Sequence, residues 1–261
     1  MYSNITEKRL WNAAEKLRSN LDAAEYKHVI LGLLFLKQIS VIFDYYNSQI
    51  IDNNTIFERK EFFSERNLVW IPEGAHWDTI LEQVHEKDEV AQIIDNAMSV
   101  IEDENQSLHD VFARKICSLE LEKGRILEII KIIDEVSFET SNNNIDVIGS
   151  VYEYYLGKFA EAEGINGGQY YTPRCLVQLM VNMIEPFFGK IYDPCCGLGG
   201  MFVQSQKIIN RSQRKTSVSI YGQESNPNTW RLCKMNLALH GINGYISRGD
   251  SLMNNQHKGF K

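Results

Sequence analysis

Hydrophobic and polar positions change rhythm once along this chain, and the change divides it in two. Over residues 1–165 apolar side chains recur every three or four positions, the period of helices with one buried face. Leu10, Ala14, Leu17 and Leu21 form the first such stripe. From Tyr26 to about Ile50, a second stripe carries Val29, Leu33, Leu36, Ser40 and Phe43. The early part of that run is apolar around most of its circumference, which predicts a central, well-buried helix. Asp22 and Glu25 stand before it at capping-box spacing. Asp52-Asn53-Asn54-Thr55 predicts a loop, and a short charged helix follows. Leu68-Val69-Trp70-Ile71-Pro72 reads as extended, because Pro72 keeps Ile71 out of the α region. Trp77 sits on another short helix, and two further helices fit Asp88–Asp103 and Gly124–Val136. In the last helical run Ile148, Val151, Tyr155 and Phe159 share one packed face. Trp11, Trp70 and Trp77 are expected as large packing anchors in the core or at a subunit interface.

After the Gly164–Gly168 hinge, short apolar runs alternate with helical ones. Thr172 is expected to cap a helix with Pro173 at its first position and Pro186 at its stop. Leu176, Met180, Val181 and Ile184 would form its packed side. Three strands follow: Lys190–Asp193, Val218–Gly222 and Tyr245–Arg248. Helices over Gly200–Asn210 and Pro227–His240 separate them, the second capped by Ser225 or Asn226. Trp230, Cys233, Leu237 and His240 lie on one stripe of that second helix. Alternating strands and helices place all three strands parallel in one sheet. The fold class expected is α + α/β: an all-helical domain over 1–165, then the first part of a Rossmann-like sheet over 166–261, ending after about three strands.

Charge sharpens this division. Residues 1–165 hold 16 Lys/Arg against 30 Asp/Glu, a net of −14, while residues 166–261 hold 11 against 4, a net of +7. An acidic piece joined to a basic one suggests a polyanion-binding surface in the second half. Five cysteines without a Cys-x-x-Cys pair read as a reduced, cytoplasmic protein. The longest apolar stretch, Val29–Leu36, falls far short of the ~20 residues of a membrane span. The six histidines show no metal-ligand spacing, so no metal is expected.

The candidate chemistry lies at the strand ends. Lys190-Ile191-Tyr192-Asp193-Pro194-Cys195-Cys196-Gly197-Leu198-Gly199-Gly200 is a strand, a carboxylate, a glycine turn and a helix start. Open parallel sheets bind ligands at this edge. The next two strands also end in carboxylates, Glu224 and Asp250. Glu224 can accept hydrogen bonds from both hydroxyls of a ribose. Asp250 can accept from an adenine amine, and Asp193 can hold the turn or meet an ammonium group. A dinucleotide fingerprint would need a third glycine where Phe202 stands, which argues against a nicotinamide-dependent oxidoreductase. There is no Gly-Lys-Ser/Thr phosphate loop, which favours S-adenosylmethionine (SAM) over a nucleotide phosphate.

Gly168-Gln169-Tyr170-Tyr171-Thr172-Pro173-Arg174, followed by the Asp193-Pro194-x-x-Gly197-x-Gly199-Gly200 motif, resembles the methylation subunit of type I DNA restriction–modification systems. Trp70-Ile71-Pro72 before Trp77, and Asp146-x-x-Gly149-x-x-Tyr152-Glu153-Tyr154, resemble its helical domain. The resemblance implies an adenine-N6 DNA methyltransferase subunit with SAM as cofactor. Its cofactor contacts would be Gln169, Tyr170, Tyr171, Thr172, Pro173, Arg174, Leu198, Gly199, Gly200 and Glu224, with Asp193, Gly197 and Asp250 as further wall residues. It also implies DNA, a specificity subunit, a restriction subunit and a second methylation subunit as partners, and no membrane. The family's Asn-Pro-Pro-aromatic motif, which grips the flipped adenine, does not occur in this sequence. The chain therefore reads as an N-terminal part with no catalytic residue of its own. The alternative reading is a non-catalytic scaffold that retains the SAM fold and binds the specificity subunit. A sheet cut after three strands is expected to be poorly soluble or to need a partner.

Overall fold

The computed structural model describes residues 23–50, 55–112, 116–119, 121–135, 145–163, 172–211 and 217–259. Backbone contacts divide the chain into two units, Met1–Phe159 and Ala160–Lys261. The Leu10–Leu21 stripe, Trp11, Asp22 and the Gly164–Gly168 hinge lie outside the described residues.

The first unit is built around α1 (Ala23–Asn47), a helix of 25 residues. Leu31, Leu33, Leu34 and Phe35 are fully buried in it. From Lys27 onward α1 is long and apolar enough to cross a membrane, which counting only the unbroken Val29–Leu36 run had missed. Most of that stretch is buried within the protein, as in the core helix of a packed helical unit. Around it stand α2 (Ile56–Glu65), α3 (Trp77–Glu86), α4 (Val90–Glu104), α5 (Lys123–Asp134) and α6 (Ile145–Glu163). Thr55 and Glu58 close a reciprocal capping box at the start of α2, where the sequence predicted only a loop. Trp70 packs against Phe43 and Phe63, and Trp77 is buried. Lys37, buried on α1, donates to the carbonyl of Ile133 and pairs with Asp134. Burial lowers its pKa, and Asp134 offsets part of that shift. On α6, Val151, Tyr155 and Phe159 are buried as expected, and Tyr152 joins them with its ring against Phe35.

The second unit begins with α7 (Arg174–Ile184) and continues β1 (Phe188–Asp193), α8 (Gly200–Arg211), β2 (Ser217–Glu224), α9 (Pro227–Leu239) and β3 (Gly244–Arg248). The strands are parallel in the order β1-β2-β3, with Ile191 opposite Ile220 and Tyr221 opposite Tyr245. Ile191, Ile220 and Ile246 face Phe202, Val203, Cys233 and Leu237, which form the core between the sheet, α8 and α9. Successive strand residues alternate between faces, so Tyr192, Tyr221 and Tyr245 lie on the other side.

Two expectations for α7 are corrected. Pro173, rather than Thr172, is the N-cap: its extended ψ of 134° puts it outside the helix, while its carbonyl accepts from Leu176 and Val177. The packed face is the narrow Val177–Val181 stripe. Leu176, Met180 and Ile184 are exposed, because only one side of α7 meets α8.

Candidate functional site

β1 ends in Asp193, and the chain then turns back across the carboxyl edge of the sheet. Asp193 Oδ1 accepts from the Cys195 N–H at 3.0 Å, which starts the turn. The Cys196 N–H donates to the carbonyl of Gln223 at 3.0 Å and so joins the turn to the end of β2. Gly197 and Gly199 have φ of 54° and 80°, the left-handed region that side chains avoid. At Gly199 a Cβ would stand 2.9 Å from the Cys233 sulfur, so the turn and α9 meet only because no side chain intervenes. The Gly199 carbonyl accepts from the Phe202 and Val203 N–H groups, which opens α8.

Glu224 ties these parts together. Its Oε2 accepts from the Gly197 N–H at 3.0 Å, and its Oε1 accepts from the Asn226 N–H at 2.8 Å. One carboxylate thereby spans the glycine turn after β1 and the start of α9. Asp193 lies close enough to Glu224 for the two charges to repel. Burial, and then that repulsion, raises the Asp193 pKa above the usual carboxylate value, partly offset by the Cys195 N–H. Among the described residues neither carboxylate is paired with a cation. Open space adjoins the turn, since a Cβ on Gly197 or Gly200 would meet nothing within 4 Å. The Cys196 and Cys233 thiols behind it share a hydrogen bond, which together with burial raises the pKa of Cys196.

The structure thus gathers Asp193, Gly197, Leu198, Gly199, Gly200 and Glu224 into one place. Asp250 stands apart from this network. It is exposed, two residues beyond β3, and its Oδ1 accepts from the N–H groups of Leu252 and Met253 in its own turn. Thr172, Pro173 and Arg174 are exposed at the start of α7. The charge of Arg174 bears on His240 at the end of α9, whose pKa burial, Lys207 and Arg174 together lower to about 3. Gln169, Tyr170 and Tyr171 lie outside the described residues.

Two buried amides escaped the sequence reading. Gln223, fully buried, donates through Nε2 to the carbonyls of Gly249 and Asn254 and accepts from the Gln256 N–H. It pins the 249–256 loop to the end of β2. Asn236 on α9 donates to the carbonyl of Leu198 at 2.9 Å. The available signal was a carboxamide inside an otherwise apolar stretch, since such a group is retained only where it finds partners.

Two family models divide the chain between them: the HsdM N-terminal domain matches residues 6–133 and the N-6 DNA methylase matches residues 143–261. The chain belongs to the methylase-subunit family of type I restriction systems. The type I restriction enzyme MjaIX methylase subunit of Methanocaldococcus jannaschii is 34% identical over 263 residues, covering 94% of this chain and 47% of that protein. The HindI methylase subunit of Haemophilus influenzae is 40% identical over 179 residues, or 64% of this chain and 40% of its own. The crystal structure of a type I methyltransferase subunit from Streptococcus thermophilus superposes with a TM-score of 0.71 at 21% identity, covering 99% of this chain and 61% of that one. That match speaks for the fold: helices followed by a parallel sheet of methyltransferase type. This methylase-subunit chain spans about half the length of the curated relatives it matches.

Proposed function

We propose that this chain carries the SAM-binding part of an adenine-N6 DNA methyltransferase subunit. The observation that carries the reading is Glu224, fixed by Gly197 and Asn226 at the strand edge beside a second, half-buried carboxylate, Asp193, which has no cation partner among the described residues. A carboxylate has roughly four lone-pair positions, so Glu224 retains acceptor capacity for ribose hydroxyls. Two adjacent carboxylates suit a ligand that carries positive charge, as SAM does on its sulfonium and ammonium groups. The open space over Gly197 and Gly200 leaves room for close approach to the backbone.

In this assignment Glu224 orients the ribose and Asp193 receives the ammonium. The turn from Gly197 to Gly200 forms the floor, and Gln169 through Arg174 supply one wall. Asp250 closes the adenine end. SAM supplies the methyl group that is transferred to the amine of a flipped adenine. Within these 261 residues there is no Asn-Pro-Pro-aromatic, so this stretch by itself is assigned binding without turnover. The partners assigned are DNA, met by the basic second half, together with specificity and restriction subunits and a second methylation subunit. A cytoplasmic location goes with this role.

Calorimetric titration of the purified chain with SAM, with NAD as control, tests the assignment. SAM should bind and NAD should not, and Glu224→Ala should weaken SAM by about tenfold or more through loss of charge-assisted hydrogen bonds. A folded chain that ignores SAM would leave the scaffold reading standing.

A further inference from the structure

We propose that Asn236 is a positioning residue for the cofactor turn, holding the peptide between Leu198 and Gly199 in one orientation. The inference rests on the reading of that turn as part of a SAM site. Asn236 is 2% exposed and lies between Met235 and Leu237, both buried, on a helix whose neighbouring core is apolar. A leucine would fill similar space without an amide to bury, but it would leave the Leu198 carbonyl without its donor. The carboxamide instead donates from Nδ2 to the Leu198 carbonyl, 38 residues away, at 2.9 Å. Its Oδ1 is buried with no donor among the described residues, so the group is only half satisfied there. Burying an unpaired oxygen works against stability, and the hydrogen bond to the turn is what the residue provides in return.

The conformation of the turn explains the need. The Leu198–Gly199 peptide is hinged on its far side at Gly199, which lies in the left-handed region, and Gly197, one residue before Leu198, lies there too. Glycine has no Cβ to resist rotation of a neighbouring peptide plane. Both polar ends of this plane are nevertheless fixed. Its N–H donates to the Cys196 carbonyl at 2.9 Å, and its carbonyl accepts from Asn236. Fixing this plane also fixes the direction of the next N–H groups, at Gly200 and Met201. These open α8 and have no partner within the helix. Glu224 reaches the turn from β2 and Asn236 reaches it from α9, so two different elements set its shape.

The test uses the intact chain and two variants, Asn236→Leu and Asn236→Asp. Asn236→Leu should fold with a melting temperature near that of the wild type, because it removes the unpaired Asn236 oxygen but leaves the Leu198 carbonyl without its donor. Its SAM affinity should fall about fivefold to tenfold, the worth of one ordering hydrogen bond. Asn236→Asp offers no donor while ionised, so it should bind weakly at pH 8. Relative to wild type at each pH, it should recover in acid, where its carboxyl O–H can donate to Leu198; Asn236→Leu should show no such recovery. A purely structural role would not produce that difference in pH profile. Wild-type affinity in Asn236→Leu, or an Asn236→Asp deficit that acid leaves unchanged, overturns the inference. If the wild type itself binds no SAM, the site assignment fails separately. The positioning claim is then read from amide hydrogen exchange at 197–200: faster exchange in Asn236→Leu with α9 unchanged supports it, and unchanged exchange overturns it.

Discussion

Asp193 is held in a state that works against its own burial. Its pKa is raised by desolvation and by Glu224, so the folded chain binds that proton more tightly than the unfolded chain does. The sign follows directly: its contribution to stability is fullest in acid and is lost as pH rises through the raised pKa. At neutral pH Asp193→Asn should therefore leave the melting temperature unchanged or raise it, since an amide oxygen can still accept from Cys195. Binding should move the other way. A cationic cofactor needs the ionised form, so wild-type affinity for SAM should decline as pH falls through the range just above ordinary carboxylate values. Asn at 193 should weaken binding and flatten that profile. Titrations from pH 5 to 8 check this, and a variant profile parallel to the wild type would remove Asp193 from the cofactor's surroundings. Stability lost to an ionised carboxylate and kept for binding is a common pattern at functional sites.

At the scale of elements, local chemistry was the most legible part of the sequence. Of the two caps the sequence offered for α9, Ser225 and Asn226, it is Asn226 that accepts from the N–H groups of Asn228 and Thr229, with Pro227 at the first helical position. Asn226→Ala should cost about 1 kcal/mol in denaturant unfolding. Because the Asn226 backbone N–H, which the variant keeps, is what bonds Glu224, SAM affinity should change far less than in Glu224→Ala. The three strand ends and the helices between them were equally readable, since apolar period and glycine turns encode them directly. The face that α7 buries was not. Its apolar residues occupy more than one face, and which of them meets α8 depends on packing that periodicity cannot specify. The roles of Asn236 and Gln223 were hidden for a similar reason: each depends on a backbone carbonyl or amide that only the tertiary fold brings near. Asp250 was legible as a strand-end carboxylate, but not its use of Oδ1 within its own turn.

At the scale of the whole molecule, the division of charge makes a separate prediction. With a net of −14 before residue 166 and +7 after it, the proposed attraction to DNA is expected from the second half. Lys190, Arg211, Arg248 and Lys258 are exposed there. Binding to a duplex of arbitrary sequence should be weak and should fall steeply between about 50 and 200 mM salt, as phosphate contacts release counterions. Fluorescence anisotropy with a labelled duplex measures the slope, and binding indifferent to salt would contradict an electrostatic contact.

The crevice has one further property, which concerns time rather than shape. Its described cross-links all fall within one continuous stretch of chain: Gly197 to Glu224 spans 27 residues, Gln223 to Asn254 spans 31, and Leu198 to Asn236 spans 38. Each described strand pairs with the next one in sequence, so none of these links waits for a distant segment. The entropy of closing a loop grows only slowly with its length, and chains emerging from a ribosome fold in the order they are made. The strand-edge site can accordingly assemble during synthesis, as one contiguous stretch of nascent chain.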